Sequence, residues 1–344
     1  MEAHLIFNPN SGGAEDLSPE ALSEALRKVG YEPVYRATSS EKDLGQALKD
    51  VEGLIVVAGG DGTVRAVVTR MVGKNIPIAP LPLGTANNIA GSLGLEGGPL
   101  DIIPRLEDPL KRSFDVGRVR APWGEDYFLE AAGIGFYADA LRSYDPEKGK
   151  SVLRSIVSFS ETLNDHQPCT MRIRADDREL TGEYFMIEAL NTPSFGPWLR
   201  MAPDADVSDG KLNIVAIKED LSKNILGYLR DIMENGGRSP EFEIQTARQL
   251  VIEWQDFTMH VDAEVRPVPT RRPADKNPAA GARPSIEQRE TQQVTIDLLP
   301  GAIEFWLPEP VVGDGMLKVE ESRAQADANA GAVTSNVNLQ TGIL

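Results

Sequence analysis

Over the first hundred positions the apolar residues alternate between two rhythms. Leu5 to Phe7, Val34 to Ala37, Val56 to Ala58 and Ile78 to Leu81 are short apolar runs of the kind that form buried strands. Between them, apolar positions recur at helical spacing: Leu17, Ala21, Leu22, Ala25, Leu26 and Val29, then Val64, Val67, Val68, Met71 and Val72, then Ile89, Ala90 and Leu93. The first set has Ser18 as N-cap, Pro19 at the first helical position and Gly30 as its stop; the other two end at Gly73 and Gly94. Strands alternating with helices predict a parallel sheet covered by helices.

From about Phe114 the rhythm becomes strand-rich, with short runs at Tyr127 to Glu130, Thr170 to Ile173, Tyr184 to Leu190, Leu212 to Ile217, Phe242 to Ile244, Leu250 to Trp254, Thr258 to Val261 and Val294 to Leu298. Helical interruptions fall near Ser151 to Leu163 and Lys223 to Met233. Such a run predicts a mainly antiparallel β-sandwich. The expected organisation is an α/β domain over 1–113 and a β-rich domain over 114–311, whose final segment packs back on the first. Residues 265–290 form a Pro/Arg-rich insertion in the second domain, and 312–344, rich in Ala, Asn, Gly, Ser and Gln, a disordered tail.

Three of the early strands run into polar, glycine-rich turns: Asn8, Pro9, Asn10, Ser11, Gly12 and Gly13; Gly59, Gly60, Asp61, Gly62 and Thr63; and Leu83, Gly84, Thr85, Ala86, Asn87 and Asn88. All three would lie at the carboxyl ends of parallel strands, where open α/β sheets bind ligands. A glycine turn feeding a helix presents unpaired N–H groups and the positive end of the helix dipole, a cradle for phosphate. Asp61 would repel a phosphate there unless a cation intervened. Mg²⁺ resolves this, with Asp61 ligating it directly or through water; the alternative is that Asp61 accepts a proton from a nucleophile.

Composition narrows the field. The 344 residues suffice for two domains, and 41% hydrophobic with 25% charged content is ordinary for a globular protein. A net charge of -17 opposes nucleic-acid binding. The chain has no apolar run of about 18 residues and no signal-peptide layout at its start, so a cytoplasmic protein is expected. Cys169 is alone, and His4, His166 and His260 are scattered, which removes disulfides and the usual zinc clusters. Against the acidic background, Val265 to Glu290 carries six basic residues, three acids and five prolines. It reads as an extended solvated excursion, or as a contact with anionic headgroups at ~1 kcal/mol per basic residue. Met201, Asp204 and Asp206 lie in an oxygen-rich turn that suits Mg²⁺ or Ca²⁺, the plainer reading being a solvated acidic turn.

Asn8-Pro-Asn-Ser-Gly12, Gly59-Gly-Asp-Gly-Thr63 and Leu83-Gly-Thr-Ala-Asn-Asn88, in this order, resemble the diacylglycerol kinase catalytic domain shared by bacterial lipid kinases, sphingosine kinases and ceramide kinases. The resemblance continues through Phe114 to Gly117, Phe128 to Gly135, Met201 to Asp204, Ser208 to Gly210 and Val261 to Glu264, as far as about Pro308. It implies a NAD kinase-like α/β domain, a β-sandwich domain and an active site in the cleft. It further implies ATP contacts from Asn8, Pro9, Asn10, Ser11, Gly12, Thr38, Gly59, Gly60, Asp61, Gly62, Thr63, Val64 and Thr85. Asp61 would organise Mg²⁺ and water at the phosphates, with Asp115 near that same network, and the Met201 carbonyl, Asp204 and Asp206 would carry a structural Mg²⁺. Glu264, on the strand that begins at Thr258, is the implied proton acceptor, with Asp61 as its rival.

Three departures stand out: Arg65-Ala66 where the family usually has Asn-Glu, Asn88 where it usually has an acid, and Ala263 where it usually has glycine. The leading expectation is a lipid kinase that transfers the γ-phosphoryl of ATP to the hydroxyl of a diacylglycerol-like or long-chain-base lipid, cytoplasmic or peripheral at the inner membrane surface. A kinase of a soluble alcohol or nucleotide, and a non-catalytic nucleotide-binding regulator, are the alternatives; a homodimer is left open. A Walker loop and a protein-kinase signature are both missing from the sequence.

Overall fold

A computed structural model describes residues 1–15, 17–38, 41–143, 166, 168–196, 199–218, 243–255, 257–268 and 292–309. The helices expected near Ser151 to Leu163 and Lys223 to Met233, the excursion beyond Val268 and the tail from 312 lie outside them. Residues Met1–Pro308 make up one compact unit.

Strands β1 (Glu2–Phe7), β2 (Glu32–Tyr35), β3 (Leu54–Gly59) and β4 (Ile78–Pro82) pair in parallel in the order β2-β1-β3-β4. All six residues of β3 are buried, as a parallel strand covered on both faces requires. Helix α1 (Pro19–Lys28) follows β1, with the Ser18 side chain accepting the Ala21 N–H as its cap. Helices α2 (Glu41–Ala47), α3 (Asp61–Met71) and α4 (Asn88–Ser92) complete the alternation. Strand β2 begins and ends two residues before the expected Val34 to Ala37, because Glu32 pairs with Glu2 at the start of β1.

The sheet does not stop at β4. The strand Gln292–Leu307 pairs in parallel with β4 through Phe305 and Ile78, and antiparallel with β5 (Leu110–Ala121) and with Gln249–Trp254. In β4 the odd positions face β3, since Ile55 N donates to the Pro77 carbonyl and Leu83 N to that of Gly59. The even positions therefore face the last strand, and two of them, Pro80 and Pro82, have no N–H to give. Pairing there is confined to Ile78.

A second, antiparallel sheet contains β7 (Ala131–Gly135), flanked by Met186–Leu190 and Met259–Val261; strand β6 (Gly124–Phe128) pairs with β5 in the first sheet. Val119, Ile173, Leu250, Val294 and Ile296 of the first sheet share one core with Ile134, Ile187, Leu212, Ile214 and Val261 of the second. The predicted α/β sheet and antiparallel β-sandwich are both present. Among the described residues no helix is long and apolar enough to cross a membrane.

Candidate active site

The turns after β1, β3 and β4 meet. Asn8 Nδ2 donates to Thr63 Oγ1 at 2.8 Å, Asn8 Oδ1 accepts from Asn10 N at 3.0 Å, and Gly13 N donates to the Leu83 carbonyl at 2.9 Å. Gly60 and Gly84 pack backbone to backbone: a methyl built on Gly84 would lie 2.6 Å from Gly60 Cα, so neither position accepts a side chain. Gly62 faces open space at the start of α3. Pro9, Asn10, Gly12, Gly62 and Thr85 are exposed at the mouth, while Gly59 and Val64 are buried beneath it. Thr38 is half-buried, three residues beyond β2.

Helix α3 begins at Asp61 rather than after the glycine turn, because Gly60 adopts the extended N-cap conformation and its carbonyl accepts from Thr63 N and Val64 N. Asp61 is thus the first helical residue, and its Oδ1 accepts the Ile89 N–H at 3.0 Å from the start of α4. Asn87, at a φ of 51°, closes the third loop by bonding Gly84 through both ends of its amide. Burial pushes the Asp61 carboxyl above its ordinary range, opposed by the amides of Ile89, Asn88, Asp61 itself and Asn87. Part of the charge that was expected to need a cation is therefore met by backbone N–H groups.

Glu264 does not lie on the strand that begins at Thr258. Met259–Val261 and Glu264–Arg266 are the two arms of a hairpin whose loop is Asp262 and Ala263, at φ values of 46° and 63°. Two left-handed residues match the two-residue turn that suits the twist of paired strands. Glu264 Oε1 accepts from Arg65 and Oε2 from Arg266, at 2.8 Å. Although desolvation works against it, these guanidinium groups hold the carboxyl below its usual range. Arg266, counted in the basic excursion, is not a solvated residue: it is bonded to Asp126 and Glu264 with its side chain 13% exposed.

Sequence reasoning missed how the hairpin is tied in. The Asp262 carboxylate accepts from Leu129 N at 2.6 Å, Glu130 N at 2.8 Å and Ala131 N at 3.1 Å, and lies 3.3 Å from Arg65 Nε. Arg65, a departure from the family pattern, thus latches α3 to the hairpin. Glu130 was also missed. It is a buried carboxyl pushed well above its ordinary range by that burial and by Asp61 and Asp262. Its Oε2 accepts from Asn88 Nδ2 at 2.9 Å and Gly196 N at 3.1 Å. The available signal was one acid inside the apolar run Phe128 to Ile134.

Next to the Met201 to Asp206 turn, Asp115 is buried, donates its N–H to the Val207 carbonyl and accepts from Gly210 N and Gly301 N, each at 2.7 Å. Asp204 and Asp206 are exposed, and Asp206 Oδ1 accepts from Ser208 N and Oγ. The Met201 carbonyl and the Asp204 and Asp206 carboxylates are all oxygen donors, the ligand type that hard cations take. Among the described residues there is no cluster of three His, Cys, Asp or Glu side chains suited to a metal.

Residues 2–119 match the diacylglycerol kinase catalytic domain, and residues 138–280 the YegS C-terminal NAD kinase beta sandwich-like domain. The chain is 30% identical to a diacylglycerol kinase of Bacillus subtilis over 245 residues, 66% of this chain and 76% of that one. It is 31% identical to a probable lipid kinase YegS-like of Chromohalobacter salexigens over 266 residues, 74% and 81% of the two chains. A crystal structure of a diacylglycerol kinase from Bacillus anthracis str. Sterne superposes with a TM-score of 0.60 at 17% identity, covering 91% of this chain and 98% of that one, a likeness of fold.

Proposed function

Since the chain belongs to the diacylglycerol kinase catalytic-domain family, phosphotransferases that act on an alcohol, we propose that it transfers the γ-phosphoryl of ATP to the hydroxyl of a diacylglycerol-like lipid. The convergence of the three loops carries this reading. Backbone N–H groups at the start of α3, the open face over Gly62 and the Asn8–Thr63 bond make a polar floor in which a triphosphate chain can lie. Phosphoryl transfer asks mainly for positioning and charge stabilisation, which such a floor supplies.

Of the two acids weighed as proton acceptor, Asp61 is the better base. Burial raises its affinity for a proton, whereas Arg65 and Arg266 lower that of Glu264. Asp61 takes the proton of the lipid hydroxyl as that oxygen attacks the γ-phosphorus and the bond to ADP breaks. Glu264 and Asp262 hold Arg65, and through it α3, in place. A Mg²⁺ ion organised by Asp61 would supply neutralisation of the developing charge, and Met201, Asp204 and Asp206 are the residues that would hold a second, structural ion.

The test is incubation of the protein with labelled ATP, Mg²⁺ and diacylglycerol in mixed micelles, with glycerol and NAD as soluble competitors. Label recovered in phosphatidic acid supports the reading. Label in a soluble product with none in lipid, or none in any product, overturns it.

A further inference from the structure

Acids and arginines alternate in one connected chain from β6 to α3: Asp126, Arg266, Glu264 and Arg65. Arg266 Nε donates to both oxygens of Asp126 at 3.0 Å, and Nη2 lies 3.0 Å from Asp126 Oδ1. The same Nη2 donates to Glu264 Oε2 at 2.8 Å, and Nη1 donates to the Val265 carbonyl at 3.1 Å, so all three nitrogens of the guanidinium are engaged. Glu264 Oε1 accepts from Arg65 Nη1. At the far end Asp126 accepts from Trp123 Nε1 at 3.0 Å, and Trp123 packs edge to face on Trp254.

The side chains of Arg65, Arg266 and Asp126 are 12%, 13% and 18% exposed, whereas that of Glu264 is 43% exposed. An exposed glutamate paired with one cation is weakly held, because fixing two long side chains offsets most of the attraction. Here each oxygen of Glu264 is taken by a different guanidinium, which sets the plane of the carboxylate. The fork that orients it is itself clamped on β6 through Asp126. Rigidity therefore passes from β6 through Arg266 to Glu264, and from Glu264 to Arg65. Arg65 lies one helical turn beyond Asp61 on α3, so what fixes Arg65 also fixes the helix start.

We propose that Arg266 is a positioning residue of the reaction: braced on Asp126, it orients Glu264 to hold Arg65, and with it the first turn of α3. The inference rests on the role in phosphoryl transfer proposed above for that turn. It turns on the shape of the guanidinium fork more than on its charge. A lysine at 266 would keep the charge as a single point and could not reproduce three engaged nitrogens.

Arg266→Lys, Glu264→Ala and the double variant form the cycle that tests this. Steady-state kcat, KM for ATP and for diacylglycerol, direct binding of a non-hydrolysable ATP analogue, and melting curves are recorded for each. Loss of one preorganised group typically costs ~10²–10³ in kcat, and a group acting through others should cost less, about 5-fold. Arg266→Lys should therefore lower kcat about 5-fold and weaken analogue binding about 3-fold, with KM for diacylglycerol unchanged. In the Glu264→Ala background the same substitution should change either quantity by less than about 1.5-fold, because the link it acts through is gone. A substitution that merely loosened the fold would cost as much in both backgrounds. Wild-type constants for Arg266→Lys, or an equal loss in the two backgrounds, would overturn the proposal. Asp126→Asn, which weakens the brace and keeps an accepting oxygen, takes the place of Arg266→Lys in the cycle if the latter does not melt cooperatively. The analogue separates the two readings: wild-type protein that binds it but labels no lipid refutes the lipid-kinase assignment, while the cycle in analogue affinity still judges Arg266. Wild-type protein that does not bind the analogue overturns both.

Discussion

Ala263 is the most direct handle on the hairpin that carries Asp262 and Glu264. It sits at a φ of 63° with its side chain exposed, in a loop where the second residue must be left-handed. Such a backbone costs an L-residue about 1–2 kcal/mol, and glycine avoids the penalty. Glycine also makes the unfolded chain freer, which takes back about 0.4–1 kcal/mol. The methyl is exposed, so its removal sacrifices little packing. Ala263→Gly should then stabilise the protein by about 0.5–1 kcal/mol. At about 2.1 cal/mol/K per residue, a unit spanning Met1–Pro308 unfolds with an entropy of about 0.6 kcal/mol/K, so the melting temperature should rise by about 1–2 °C. Ala263→Val, with a β-branched side chain at the same φ, should move it the other way by at least as much. Both shifts are measurable by calorimetry and by urea midpoints. Glycine no more stable than alanine, together with valine as stable as alanine, would refute the strained-turn argument.

Asp61→Asn keeps an oxygen for the Ile89 amide and removes the charge, so turnover should fall by ~10²–10⁴ while melting stays within a few degrees; near-normal turnover would strip Asp61 of its role. Asp204→Ala should lower the melting temperature in Mg²⁺ and blunt the rise that added Mg²⁺ gives the wild type, a rise that must exist without nucleotide if the acidic turn holds an ion. Because Glu130 is raised well above the ordinary glutamate value of 4.5, the folded state retains a proton the unfolded chain has released. The stability this gives is complete below about 4.5 and is lost as pH climbs from there through the folded value. Urea midpoints should therefore fall with rising pH, less steeply in Glu130→Gln, and an identical slope in the two proteins would exclude Glu130 as the group that titrates.

What the sequence displayed well was whatever depends on near neighbours. Ser18 caps α1 through Ala21, three residues on, and the run into Gly59 and Gly60 announces both the strand and the helix that follow. The loops could be placed together because parallel strands must present their carboxyl ends at one edge. The hairpin at Asp262 was hidden because an alanine occupies the position where a glycine would have marked the turn. The last strand was seen only as Val294 to Leu298, since Pro300 and Gly301 sit in a register shift between Leu299 and Ile303 that breaks the alternation. Glu130 and Arg65 gained their meaning from partners far along the chain: Asn88 is 42 positions from Glu130, and Glu264 is 199 from Arg65. No local pattern encodes contacts of that range.

The pairing of β4 with the last strand sets a timetable for the newborn chain. A ribosome that has just made Pro82 must add the rest of the sequence up to Leu307 before β4 receives its outer neighbour, about 10–50 s at ~5–20 residues per second. For that interval the incomplete sheet ends in an open edge, the kind of surface on which unfinished chains stick to one another. Pro80 and Pro82 stand on that edge and withhold the N–H groups a stray strand would need. The two prolines that limit the finished pairing to Ile78 thus act earlier as a guard, protecting the nascent protein from its own siblings until its final strand arrives.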